Sequence, residues 1–193
     1  MKLKKLVAIT LSAVMCMAAL TGCGGKSDSA KKTAKVIEVD LTDEQYAFGV
    51  DKDQPDLLKE VNQFVKDMKS DGTFDEICNR YFGDGTPVPV KSAAYDESKD
   101  QLVVATNAAF EPFEYMDGEN YVGIDMEIAK ALADKLGKEL VIQNMDFDAV
   151  CLSVGQHKCD VAMAGLTIKP DREEYVACLL YTSDAADDLT RVD

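Results

Sequence analysis

Tryptophan is absent from the 193 residues, and His157 is the only histidine. No C-x-x-C pair occurs among the six cysteines, so metal-ligand spacing is missing and no metal or cofactor is expected. Neither G-x-G-x-x-G nor G-x-x-x-x-G-K-[ST] is present, which removes support for nucleotide binding. Basic residues are scarce: 21 Lys and Arg stand against 35 Asp and Glu, a net charge of −14. A field of that sign argues against nucleic acid and anionic lipid headgroups as partners, but says little about a small ligand meeting a local site. The one long apolar run, Leu6 to Leu20, has 15 residues, short of the roughly 20 that span a bilayer.

That run follows a basic tip (Lys2, Lys4, Lys5) and ends in Leu20-Thr21-Gly22-Cys23. Basic tip, short apolar run and small residues together read as a signal peptide over residues 1–22. Its end resembles the lipobox of bacterial lipoproteins, which implies that Cys23 is acylated and becomes the first mature residue. Two acyl chains suffice for stable anchoring. The expected location is therefore extracytoplasmic, tethered to a membrane. Residues 23–35, rich in Gly, Ser, Lys and Ala, read as a flexible tether.

Beyond the tether, Gln45 to Val50 reads as a strand. A helix follows with Pro55 in its first turn and Leu57, Leu58, Val61, Phe64, Val65 and Met68 at helical spacing. Gly72 ends it as a C′ residue. Thr73-Phe-Asp-Glu76 then reads as a capping box for a second helix closed by Gly83. This region, 36–83, has sticky faces and one strand, so it must dock on something else. Residues 84–100 carry Pro87, Pro89 and alternating charge, and read as a surface linker. From Gln101 the pattern becomes strand–helix–strand–helix–strand: Leu102–Thr106, a helix capped by Asp125 and stopped by Gly137, Glu139–Gln143, Asp148–Gly155 and Asp160–Ala164. Such alternation predicts an α/β fold, a parallel sheet with helices on both faces. Cys151 and Cys159 are open to two readings, a disulfide or one small residue on a helix and one before a strand.

Ligands of open α/β sheets bind beyond the carboxyl ends of the strands. The segments there are 106–115, 144–147 and 165–172. They offer Arg172, suited to grip a carboxylate with two parallel hydrogen bonds. The Gly165 N–H and the Thr167 hydroxyl can complete an oxygen shell, Phe110 and Phe147 can pack on an aliphatic chain, and Asn107 adds a polar contact. That set suits an amino acid. Taken alone, each assignment also has a plain alternative, a core aromatic or a solvated arginine at a helix start.

Four stretches carry a resemblance to the family 3 extracellular solute-binding proteins, the amino-acid receptors of ABC importers: residues 102–115 (LVVATNAAFEPFEY), 121–133 (YVGIDMEIAKALA), 145–149 (MDFDA) and 160–168 (DVAMAGLTI). The resemblance implies a periplasmic-binding-protein-like lobe, with its core at 101–177 and a second lobe missing. It implies that Phe110 and Phe147 contact the ligand side chain, that Asn107, Gly165 and Thr167 hydrogen-bond the ligand, and that Arg172 holds the α-carboxylate. The implied partners are an amino acid and an ABC permease; the implied state is a monomer with no catalytic residue. His157 and Cys159 receive no function.

Two departures from the family pattern follow. Residues 46–83 resemble the closing strand and helix pair of a family member, yet here precede the first lobe, as in a circular permutation; short distances between domain termini permit this. After Ala177, where the family continues into its hinge, residues 178–193 resemble the conceptual translation of a sequencing-library adapter, and this segment is expected to carry no selected structure. With the second lobe absent, half the contacts and the closure are missing, and weak binding or none is expected. The alternative functions are an enzyme on the same fold, of the cyclic-acid dehydratase type, for which Glu111 and Glu114 are the carboxylates beside the first pocket loop, and a sensor domain of a signalling receptor.

Overall fold

The computed structural model describes residues 45–181. The leader, Cys23 and the tether lie outside the described residues. Eight strands and five helices follow in the order β1 (Tyr46–Asp51), α1 (Pro55–Ser70), α2 (Thr73–Phe82), β2 (Gln101–Thr106), β3 (Ala109–Phe110), β4 (Glu114–Asp117), β5 (Asn120–Val122), α3 (Ile124–Leu136), β6 (Glu139–Asn144), α4 (Phe147–Gly155), β7 (Val161–Thr167), α5 (Pro170–Glu173) and β8 (Val176–Leu180). No described helix is long and apolar enough to cross a membrane.

The main sheet has the order β6-β2-β7-β1-β8. β2 runs parallel to β6 and β7, as the alternating pattern predicts, while β1 is antiparallel to both its neighbours. The sheet is thus mixed rather than wholly parallel, because β1 enters it from a chain segment that precedes the alternating unit. Side-chain alternation sorts each strand between two cores. Leu102, Val104, Leu140, Ile142, Val161 and Met163 face the layer built by α1, α2 and α3. Val103, Ala105, Val141, Ala162, Ala164 and Leu166 face α4 through Val150, Cys151 and Val154.

The helix pair α1–α2 finds its docking partner in this chain. Leu57, Val61, Phe64, Val65, Met68, Phe74 and Ile77 join Ile128, Ala129, Leu132 and Ala133 of α3 in one cluster. Glu127, buried on α3, fastens the joint: it accepts hydrogen bonds from Arg80 Nη1 (2.6 Å), the Tyr81 hydroxyl (2.7 Å) and the Val88 N–H (2.9 Å). Gly72 stands left-handed between the helices (φ 88°), as a C′ residue should. The capping box does not form. Only Asp71 and Gly72 separate the helices, so Gly72 is itself the N-cap, and the Asp71 carboxylate takes the Thr73 N–H (2.9 Å) that a cap would serve.

Three further features complete the fold. The segment 84–100 is mostly exposed and forms no helix or strand, as a surface linker should, but it is pinned to the sheet. Val90 is buried and bridges Tyr121, and Ser92 and Ala93 bond Ile142 and Leu140 along the outer edge of β6. This covers an edge that would otherwise offer unpaired backbone groups. Residues 109–122 fold into a second sheet, β3-β4-β5. Finally, Cys178 to Leu180 lie within β8, paired to Phe48 and its neighbours, and Tyr181 is fully buried with its ring stacked on Phe48 (centroids 4.2 Å apart). Order therefore extends past Ala177 to Tyr181, because Cys-Leu-Leu-Tyr is an apolar run that a vacant edge of β1 can pair. Cys151 and Cys159 are both unbridged, one on α4 and one before β7, in line with the plainer of the two readings.

Candidate functional site

The carboxyl ends of β2, β6 and β7 open onto one side of the sheet, where β1, running the other way, begins with Tyr46. There a cleft of about 310 Å³ is lined by Tyr46, Asn107, Ala109, Phe110, Glu114, Phe147, Ala164, Gly165 and Thr167. Five of the six residues singled out for ligand contact share it. The sixth, Arg172, stands beside it on α5: its Nη1 donates to the Thr167 carbonyl (2.7 Å) and hydroxyl (2.9 Å), and its guanidinium lies 5.0 Å from the centre of the Phe147 ring. Lys169-Pro170 starts the short helix that carries Arg172 back over β7's end, a position where proline needs no N–H partner.

Phe110 and Phe147 keep part of their surface open (44% and 38%), unusual for large aromatics inside a folded unit. Phe110 is stacked on Phe113 (5.4 Å), and Phe113 in turn meets Tyr46 (4.6 Å), so the exposed ring stands on a rigid aromatic base. Asn107 spends its side-chain N–H on the Met145 carbonyl (2.8 Å), which ties the loops after β2 and β6 together and leaves the amide oxygen unclaimed by that bond. Gly165 is left-handed (φ 52°), and a Cβ there would meet Phe110 Cδ1 at 2.8 Å, so glycine is required for the ring to close on the strand.

Gly165 also brings a correction. Its N–H, expected to serve a ligand, points inward and donates to Asp125 Oδ2 (2.9 Å). Asp125 in turn is no helix cap: Gly123 holds that position, and Asp125 is fully buried in the first turn of α3. Its Oδ1 accepts from the Tyr181 hydroxyl at 2.5 Å. Burial lifts the Asp125 pKa to about 6, opposed by these two hydrogen bonds. Glu114, which also lines the cleft, is almost fully buried; burial and the neighbouring Asp125 charge push its pKa to about 10. The acid of this pair that faces the cleft is therefore protonated at neutral pH.

The remaining ionisable grouping lies at the far end of the sheet. His157 Nδ1 is 2.7 Å from the buried carboxylate of Asp51, and Nε2 is 3.5 Å from Asp53. The hydrogen bond that protonated His157 donates to the Asp51 carboxylate raises the His157 pKa. These three side chains could present ligand atoms within 4.8 Å of one another, but two are exposed and the group is accounted for as an ion pair.

Sequence reasoning missed Tyr46, Ala109 and Ala164 as lining residues, and reached Glu114 only as a carboxylate beside the first pocket loop. Tyr46 was read only as a strand residue, although its place at the start of β1 puts it at the cleft. Glu114, between Phe113 and Tyr115, had a signal in its flanking aromatics, but its burial depends on the small sheet.

A profile of the bacterial extracellular solute-binding proteins, family 3, matches residues 7–84 and 102–187. Among curated proteins, the arginine-binding extracellular protein ArtP of Bacillus subtilis (strain 168) is 40% identical over 81 residues, 42% of this chain and 32% of that protein. A Chlamydia trachomatis protein, "Probable ABC transporter arginine-binding protein ArtJ", is 36% identical over 88 residues, 45% of this chain and 34% of its own length. A cyclohexadienyl dehydratase of Pseudomonas aeruginosa is 33% identical over 73 residues, 37% of this chain and 27% of the enzyme. The chain spans about a third of the length of the curated relatives it matches.

Proposed function

We propose that this chain, which belongs to the bacterial extracellular solute-binding proteins of family 3, captures an amino acid outside the cytoplasm and passes it to an ABC importer. Its action is binding rather than catalysis, as a monomer and without a cofactor. The observation that carries the reading is the convergence of Arg172, Thr167 and Phe147 at one rim of a cleft that also holds Phe110 and Asn107. Thr167 occupies Nη1 of Arg172 with two bonds, which holds the guanidinium plane while Nη2 and Nε remain for a two-bond grip on an α-carboxylate. The arginine-binding relatives point to arginine as the first ligand to test.

Residues 46–83 are read as the family's closing strand and helix pair, placed ahead of the lobe by circular permutation. The insertion of β1 between β7 and β8 and the seating of α1 and α2 on α3 support this. Cys23 is read as the lipid attachment site that keeps the receptor at the membrane, and mass spectrometry of the mature amino terminus tests it.

The binding test is calorimetry on the full chain with L-arginine, wild type against Arg172→Lys. Lysine keeps the charge and loses the fork, so affinity falls by about tenfold or more. Equal affinity in the two proteins refutes the carboxylate clamp. A second reading, dehydration of a cyclohexadienyl acid, draws on one observation, the buried protonated carboxyl of Glu114 in the cleft, which could act as a general acid. Turnover of such an acid by the purified chain would favour it.

A further inference from the structure

The pair of His157 with Asp51, at the end of the sheet away from the cleft, accounts for one ring nitrogen and leaves the other. An ionised carboxylate only accepts, so Nδ1, 2.7 Å from Asp51 Oδ2, carries the ring proton. The neutral imidazole then holds its lone pair on Nε2. That nitrogen faces Asp53 Oδ2 at 3.5 Å. The gap is too long for a good hydrogen bond. It is close to the separation of two ligands on one tetrahedral zinc: bonds of about 2.0–2.1 Å to nitrogen and about 2.0–2.2 Å to oxygen put the two atoms about 3.4 Å apart.

Both donors are held in place. The buried Asp51 carboxylate takes His157 Nδ1–H on Oδ2 and the Asp53 backbone N–H on Oδ1 (2.9 Å), so one group orients the ring and the residue that faces it. A metal-bound histidine characteristically donates its second nitrogen to such a carboxylate, which fixes tautomer and ring direction. The His157 backbone is fixed as well. It stands left-handed (φ 58°) just past α4, where glycine is usual, and both Schellman bonds form, His157 N–H to Val154 (2.9 Å) and Lys158 N–H to Ser153 (3.0 Å). Lys52, the cation between the two aspartates in sequence, is engaged elsewhere: its ammonium donates to the carbonyls of Glu173 and Glu174 at the end of α5. Two carboxylates and a neutral ring leave a net charge that favours a dication.

We propose that His157 Nε2 and Asp53 Oδ2 bind a divalent transition ion of the zinc class, with water in the remaining positions and Asp51 as the positioning carboxylate. Imidazole nitrogen suits zinc, copper and nickel, whereas magnesium and calcium take oxygen shells. Both donors are exposed, so the ion enters from solvent. Asp53 follows β1 and His157 follows α4, so the ion ties the first strand to the helix-to-strand connection that leads into β7. The proposal stands apart from the amino-acid reading, which concerns the other end of the sheet.

The experiment is NMR of the untagged full chain, labelled with ¹⁵N, at pH 8 with zinc chloride and, separately, magnesium chloride. His157 is the only histidine, so its ring signals report this site alone. Zinc should shift the ring signals saturably at one ion per chain, Nε2 more than Nδ1, magnesium should leave them in place, and the unfolding temperature should rise with zinc. Asp53→Asn, at an exposed position, should weaken zinc binding by at least about tenfold, and Asp51→Asn by about 10- to 100-fold. The ring signals are read on the unmutated protein, so the test does not depend on a variant folding. Zinc taken up without movement of the His157 ring, an equal response to magnesium, or unchanged zinc affinity in Asp53→Asn overturns the proposal, as does absence of zinc binding.

Discussion

Tyr181→Phe tests whether the end of the ordered chain belongs to the core. The ring is fully buried, stacked on Phe48, and its hydroxyl donates at 2.5 Å to a buried carboxylate. Phenylalanine keeps the ring and removes only the donor. A hydrogen bond to a charged group is worth about 1.5–3 kcal/mol, so Tyr181→Phe should cost about 2 kcal/mol at pH 8, where Asp125 is ionised. Asp125 sits near pKa 6, above its ordinary value of 3.8. Its protonation below that point removes the charge the hydroxyl serves, so the cost should shrink at pH 5, toward the roughly 1 kcal/mol of a neutral bond. Tyr181→Ala adds the loss of the ring, about 3–5 kcal/mol in buried positions, independent of pH. Urea unfolding followed by circular dichroism at the two pH values measures both. A Phe variant as stable as wild type at pH 8, with an Ala variant losing less than about 1 kcal/mol, would refute the placement of Tyr181 against Asp125 and Phe48.

Three further outcomes are expected. Glu127→Gln removes the charge that binds Arg80 while two other donors stay, and since Arg80 is partly exposed the cost should be about 2 kcal/mol in urea unfolding. His157, the one histidine, should titrate above 6.5 in NMR spectra because the Asp51 carboxylate bonds its charged form; the stability this lends is present below 6.5 and lost as pH rises through the folded pKa, and Asp51→Asn should move the titration back. Glu114 binds a proton in the folded chain that it releases when unfolded, so its contribution to stability is full below about 4.5 and is lost as pH rises toward about 10. Glu114→Gln should therefore raise stability at pH 7, by about 3 kcal/mol at most, and flatten its dependence on pH.

The parts legible in the sequence are those fixed by local periodicity. Leu102-Val-Val-Ala-Thr106 reads as a buried strand because both faces of the sheet are covered, and the two cores confirm the alternation residue by residue. Helices α1 and α3 declare themselves through apolar stripes and terminal glycines. The site loops follow from the topology of any such sheet, and so five predicted residues fall on one cleft. What was not legible depends on partners distant in the chain. Asp125 at a helix start reads as a cap, and only Gly165, 40 residues on, and Tyr181, 56 residues on, make it a buried acceptor. The short strands β3, β4 and β5 have too few residues for period two to register, and β4 holds its place partly through Val90 on the adjoining segment, which pairs with Tyr121 of β5.

The same long-range contacts join stability to the cleft. Asp125 is tied at once to β7 through the Gly165 N–H and to the segment after β8 through Tyr181, and it lies behind Glu114. Removing the Tyr181 hydroxyl withdraws a donor from Asp125, which raises its pKa and weakens the negative field that keeps Glu114 protonated. The two acids then compete on more equal terms for one proton, and Glu114 becomes easier to ionise. A substitution at the edge strand's end should therefore lower the pH at which Glu114 ionises in the cleft while leaving the contact of Arg172 with Thr167 untouched.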